Sequence, residues 1–164
     1  MFTDENCENP CWMGIEVGVS DKELVKVTLE QNEIRYSPNG LYTYNIFLDK
    51  TTSLLWQNIE TPLADIHFWG ETVGLMTFTL DLCLSSVIDA YGYPEVVMEE
   101  TSAGILYPGY GLNFLFDTDT QRITGVILYA LGYIEENFTV AEREQWESYS
   151  DLLDKNCMDS LSID

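Results

Sequence analysis

The chain has 164 residues, of which 46% are hydrophobic, 13% aromatic and only 21% charged, a balance that excludes a disordered chain. A chain of this length can bury about 70% of its unfolded surface and so build a true core. The charge is lopsided: seven Lys and Arg against 28 Asp and Glu leave a formal net charge of −21. Such a surface repels phosphate backbones and anionic lipid heads, which excludes nucleic acid as the expected partner and favours solubility and a basic protein partner.

Residues 1–10, MFTDENCENP, have neither the basic start nor the apolar core of a signal peptide, and no apolar run is long enough to insert into a membrane. An acidic, aromatic-rich chain with four cysteines suits an extracytoplasmic or cell-surface setting, with a signal or lipid-anchor segment removed upstream; the cytoplasm is the alternative. Cys7, Cys11, Cys83 and Cys157 allow three complete pairings, of which a local Cys7–Cys11 bridge is favoured. Cys83, in an apolar setting before a helix, reads as a buried free thiol. Cys7 and Cys11 lack a second pair to complete a zinc tetrahedron, so no metal or other cofactor is expected.

After an N-terminal arm (1–10), a first unit of helix plus sheet is expected over 11–81. Ser20 and Glu23 have capping-box spacing, and Leu24, Val25, Val27 and Leu29 give one apolar side to a helix running to about Gln31. From Asn32 the period changes to two. Ile34 and Tyr36, the turn Pro38-Asn39-Gly40 and the alternating Tyr42, Tyr44, Ile46 and Leu48 predict a hairpin, and residues 53–59 return as a strand. Ile66 to Trp69, the Gly70-Glu71 turn and Val73 to Phe78 predict the next hairpin.

A second unit is expected over 82–134. Ser85 to Tyr91 reads as a helix closed by Gly92 and Pro94, with strands at 95–98 and 104–107. Gly111 to Phe116, a turn at 117–120 and Arg122 to Leu128 form the last hairpin. Val73-Gly74-Leu75-Met76 is echoed by Thr124-Gly125-Val126-Ile127, which together with the two helices suggests duplication. Residues 135–164 are expected to form a C-terminal helix, capped by Thr139 and Glu142 and carrying Trp146, and a tail.

Pro10-Cys11-Trp12-x-Gly14-Ile15-x-x-Gly18-Val19-Ser20 and Leu84-Ser85-Ser86-Val87-Ile88-Asp89-Ala90-Tyr91-Gly92-Tyr93-Pro94 resemble stretches of uncharacterised bacterial extracytoplasmic proteins, many of them lipoproteins. The helix start and the Gly-x-Pro helix exit resemble, more distantly, the β-lactamase-inhibitory-protein-like (BLIP-like) fold and the SmpA/OmlA outer-membrane assembly lipoproteins. The resemblance covers roughly residues 10–130 and rests on short structural motifs. It implies an α+β fold of two tandem units, each a helix packed on antiparallel sheet, with the opposite sheet face open to a protein. The first unit departs from it in having Gln31-Asn32-Glu33 where the Gly-x-Pro exit would stand.

Chemistry is sparsely marked. His67 is the only histidine, and Asp65 shares its strand face, but neither G-x-S-x-G nor a motif-bearing cysteine supplies a nucleophile. No catalytic residue is therefore assigned. Asp117-Thr118-Asp119 starts like a calcium loop, but Arg122 stands where an EF-hand needs Gly and Leu128 where it needs Glu. The acid pairs Glu99-Glu100 and Glu135-Glu136 read as solvated rims rather than a glycosidase pair.

If Ile66, Phe68, Leu112, Phe114 and Phe116 face the helices, alternation places His67, Trp69, Asn113 and Leu115 on the opposite face, unless the segment with Trp146 covers them. These four are the expected partner-binding residues. The function expected is that of a non-enzymatic extracytoplasmic module binding a protein, a basic one among the candidates, through that face. The alternatives are a small hydrolase using His67 with a nearby carboxylate, and an acidic immunity or decoy protein that neutralises a basic partner.

Overall fold

Apolar residues at every second position dominate the chain, and in the computed structural model most of them lie in strands. The structure describes residues 6–47, 62–98, 102–117, 119–120 and 122–137. The strand expected at 53–59, the C-terminal helix with Thr139, Glu142 and Trp146, the pair Glu99-Glu100 and Cys157 lie outside the described residues.

A small hairpin comes first, β1 (Cys11–Trp12) against β2 (Ile15–Glu16), followed by α1 (Lys22–Gln31). Next come β3 (Arg35–Pro38), β4 (Thr43–Phe47), β5 (Ala64–Trp69) and β6 (Thr72–Cys83), each antiparallel to the one before. α2 (Leu84–Tyr91) leads to β7 (Glu95–Met98), β8 (Ser102–Tyr107), β9 (Leu112–Asp117), β10 (Arg122–Tyr129) and the short α3 (Tyr133–Asn137). The strands form one eight-stranded sheet in the order β3-β4-β5-β6-β10-β9-β8-β7.

The expected α+β pair of tandem helix-on-sheet units, the BLIP-like arrangement, is therefore not what forms. β6 and β10 pair at seven positions, from Cys83 opposite Arg122 to Leu75 opposite Tyr129, so the sheet runs unbroken through the middle of the chain. Val25 and Leu29 of α1, Leu84 and Val87 of α2, and Ile66, Met76, Phe114 and Val126 of the sheet belong to a single core cluster. The physical reason lies in the strand edges. Two separate sheets would leave the hydrogen-bonding edges of β6 and β10 bare, and pairing them removes both.

Both helices are held by their packing and their ends. The N-cap of α1 is Asp21, whose carboxylate accepts from Leu24 N–H at 2.8 Å; the expected cap, Ser20, is buried and its hydroxyl accepts from Glu16 N–H at 2.8 Å. At the other end Glu33 takes the left-handed conformation (φ 56°), with Glu33 N–H bonded to Glu30 C=O and Ile34 N–H to Leu29 C=O. That is a Schellman closure built on Glu rather than Gly. α2 ends at Gly92 (φ 82°), whose N–H donates to Ile88 C=O at 2.7 Å.

Cys7 and Cys11 are joined by a disulfide. Cys83, 1% exposed at the end of β6, is also disulfide-bonded, which corrects its reading as a free thiol. Its partner lies outside the described residues. An apolar neighbourhood predicts burial equally for a thiol and for half a disulfide, so local sequence could not separate them.

Candidate binding surface

Alternation along the strands sorts the sheet into two faces. Ile66, Phe68, Leu112, Phe114 and Phe116 are buried in the main core, as expected for the face that packs against the helices. On the opposite face, register brings Thr43, His67, Leu75 and Tyr129 into one row across β4, β5, β6 and β10. The next row holds Asn45, Asp65, Thr77, Ile127, Asn113 and Leu106.

That face is not uniformly open. α3 folds over it, and Ile134 forms a second buried cluster with Leu106 and Tyr129, against which Leu75, Ile127 and Tyr133 pack. Tyr133 lies flat on Tyr129, with ring centroids 5.0 Å apart, and its other neighbour is Trp69 at 5.1 Å. Burial, with Tyr133 next, pushes the Tyr129 hydroxyl above its ordinary pKa, while a hydrogen bond with the Asn113 side chain acts the other way.

The four residues singled out by sequence occupy different settings. Trp69 is 50% exposed at the end of β5 and rests on Gly74, where a Cβ would come within 2.6 Å of the indole Cε2. Only glycine lets the ring lie on the β6 backbone. His67 is half-buried, with Nδ1 3.2 Å from the Thr43 hydroxyl; among the described residues no ion pair joins it to Asp65. Asn113 is buried at 6% exposure, and its Oδ1 has no hydrogen-bond partner.

Leu115 is 39% exposed and sits between Gly104 and Gly125 in a third row that continues to Thr79. Trp69 pairs instead with Thr72, so the two side chains are separated by roughly 20 Å along β6 as well as by two strands. They do not form one patch. Leu41 (79%) is exposed at the turn next to this end of β5, where Tyr42 C=O accepts from Phe68 N–H at 2.7 Å, whereas the exposed Tyr42 ring (57%) lies with Phe68 on the helix-facing side. Leu41 carries no signal in the sequence because it directly follows the Asn39-Gly40 turn.

Lys22 holds this end of the sheet together. Its ammonium lies over the rings of Tyr42 (5.7 Å) and Phe68 (5.6 Å) and pairs with Glu71 at 3.2 Å. No family model, curated protein or solved structure matches the chain. The surface must be read from its own geometry.

The other chemical candidates resolve into structural features. The Asp117 carboxylate accepts from Asp119 N–H (2.9 Å) and Thr120 N–H (3.1 Å), and these bonds, Thr120 first, hold it below its ordinary pKa. Among the described residues, no group of three or more His, Cys, Asp or Glu is placed to hold a metal, and no helix is long and apolar enough to cross a membrane. A hollow of about 90 Å³ beside Cys7, Asn9, Tyr110 and Leu131 has room for a few waters but falls well short of an organic ligand.

Proposed function

We propose that this chain is a non-enzymatic module that binds a protein partner through the Trp69 end of the second sheet face, in an oxidising extracytoplasmic setting. The observation that carries the reading is how Trp69 is seated. Half of its surface meets solvent while Gly74 beneath and Tyr133 beside hold the indole in one orientation. A large aromatic that is exposed yet immobilised loses little entropy when a partner covers it, which is the character of an interface anchor. The net charge of −21 favours a basic partner by steering its approach. Two disulfide-bonded sites support the oxidising compartment.

The hydrolase reading has less support. His67 Nδ1 is engaged by the Thr43 hydroxyl on a sheet surface, rather than by a carboxylate in a cleft. The immunity or decoy reading shares the basic partner and differs only in what that partner does.

The test is affinity capture with the chain as bait, followed by Kd measurement on the captured protein. Trp69→Ala is expected to weaken Kd by about thirtyfold, or about 2 kcal/mol, and to lower Tm only slightly, because half the ring is exposed already. Leu115→Ala, at the far end of the face, should leave Kd within about twofold. An unchanged Kd for Trp69→Ala sinks the reading.

A further inference from the structure

The N-terminal arm touches the chain just before α3, beside Trp69. Asn9 lies inside the Cys7–Cys11 loop, where its main-chain N–H and its Nδ2 both donate to Glu16 Oε1, at 2.8 and 3.0 Å. The same oxygen accepts from Glu8 N–H at 3.1 Å. Held this way, Asn9 turns its Oδ1 to the Leu131 N–H at 3.0 Å, a contact between residues 122 positions apart. α3 starts directly beyond that anchor, with Tyr133 N–H on Ala130 C=O and Glu136 N–H on Gly132 C=O, both at 3.1 Å. Tyr133 then lies against Trp69.

We propose that the Cys7–Cys11 disulfide is a redox latch: closed, it holds Asn9 on Leu131 and Tyr133 of α3 beside Trp69, keeping the indole fixed for binding; reduced by a dithiol, it frees α3 and lets the indole move. The proposal rests on Trp69 being the binding anchor and states how that surface is regulated. The physical case is confinement. A closed loop of five residues keeps Asn9 at its acceptor and donor, whereas in the open chain each of these partly exposed bonds contributes only about 0.5–1.5 kcal/mol and must oppose the freed backbone's entropy.

Reduction follows ordinary exchange chemistry. Cys11 is 3% exposed and Cys7 partly exposed, so one thiolate of the dithiol attacks Cys7 Sγ, the S–S bond breaks, and Cys11 leaves as a thiolate that takes a proton. The second thiolate of the reagent then displaces Cys7 from the mixed disulfide. The protein gains two electrons and two protons in all, and the dithiol becomes a disulfide.

Amide hydrogen exchange on the full chain tests this without a partner. Because a reducing agent would also reach the Cys83 disulfide, the open latch is made as Cys7→Ser with Cys11→Ser, and Asn9→Ala breaks the Leu131 contact with the disulfide intact. Both variants should exchange the amides of 131–137 about tenfold faster than wild type while β5 and β6 stay protected, and the Trp69 indole resonance, assigned by its loss in Trp69→Phe, should shift. Unchanged exchange at 131–137 in either variant overturns the latch. If the double Ser variant loosens the whole sheet, Asn9→Ala decides, and protection retained there overturns it too. Failure of the latch would leave partner capture untouched, and failed capture would leave the exchange result standing.

Discussion

Gly74 is the residue on which the proposed surface turns, and it does so by lacking a side chain. A Cβ there would lie within 2.6 Å of the Trp69 Cε2; Gly74 is skipped in the pairing with β5, but Val73 and Leu75 on either side are both paired, so the strand has little room to yield. Gly74→Ala is therefore expected to lift the indole and cost about 1–3 kcal/mol of stability, read as a lower denaturation midpoint at unchanged m-value. The sequence points to Trp69 by simple alternation, and it is half-exposed as that alternation implies. It does not point to Tyr133, because the closeness of that ring to Trp69 comes from a helix 64 residues further on. Asn113 is the converse case. Alternation assigns it to the same face, but it is buried at 6% exposure between Ile127 and Leu106 of the second cluster, leaving it out of a partner's reach.

Among the elements, α1 shows how local chemistry sets boundaries that a motif search misplaces. Its start belongs to Asp21 rather than Ser20, so Asp21→Ala should cost about 1 kcal/mol by loss of the bond to Leu24 N–H. Its end relies on Glu33 at φ 56°, a conformation that costs a residue with a Cβ about 1 kcal/mol, so Glu33→Gly should raise Tm. Urea denaturation of the two variants checks both signs. This also explains how the first helix ends without the Gly-x-Pro exit of the second. The Schellman bonds from Glu33 and Ile34 make the same stop, with strain that cannot be read from the letters Gln31-Asn32-Glu33.

At the scale of the whole molecule, aromatic burial governs the response to alkali. Tyr91, Tyr107 and Tyr129 are pushed above the ordinary value of 10.0, mainly by burial and further by the tyrosines beside them. The folded state thus favours the neutral hydroxyl. Its stabilising effect is complete below pH 10.0 and is lost as pH rises from there through the raised folded values. Denaturation midpoints should fall steeply above about pH 10, with part of the tyrosinate absorbance appearing only as the chain unfolds. A tyrosinate titration completed with the near-ultraviolet circular dichroism intact would contradict this.

The sequence by itself determined the period of each segment, and hence the two helices, the strands on either side of them and the apolar face that became the core. The bridge between Cys7 and Cys11 was also within its reach, since both ends lie in one short arm. These are local properties, set by side-chain chemistry over a few residues. Which strands became neighbours beyond the local hairpins was decided only by the tertiary structure. Joining β6 to β10 is a long-range choice, driven by the need to satisfy two backbone edges at once, and it turned two expected units into one sheet with one core. Tertiary structure likewise set how much of the second face stayed uncovered, because exposure depends on what the rest of the chain packs against it.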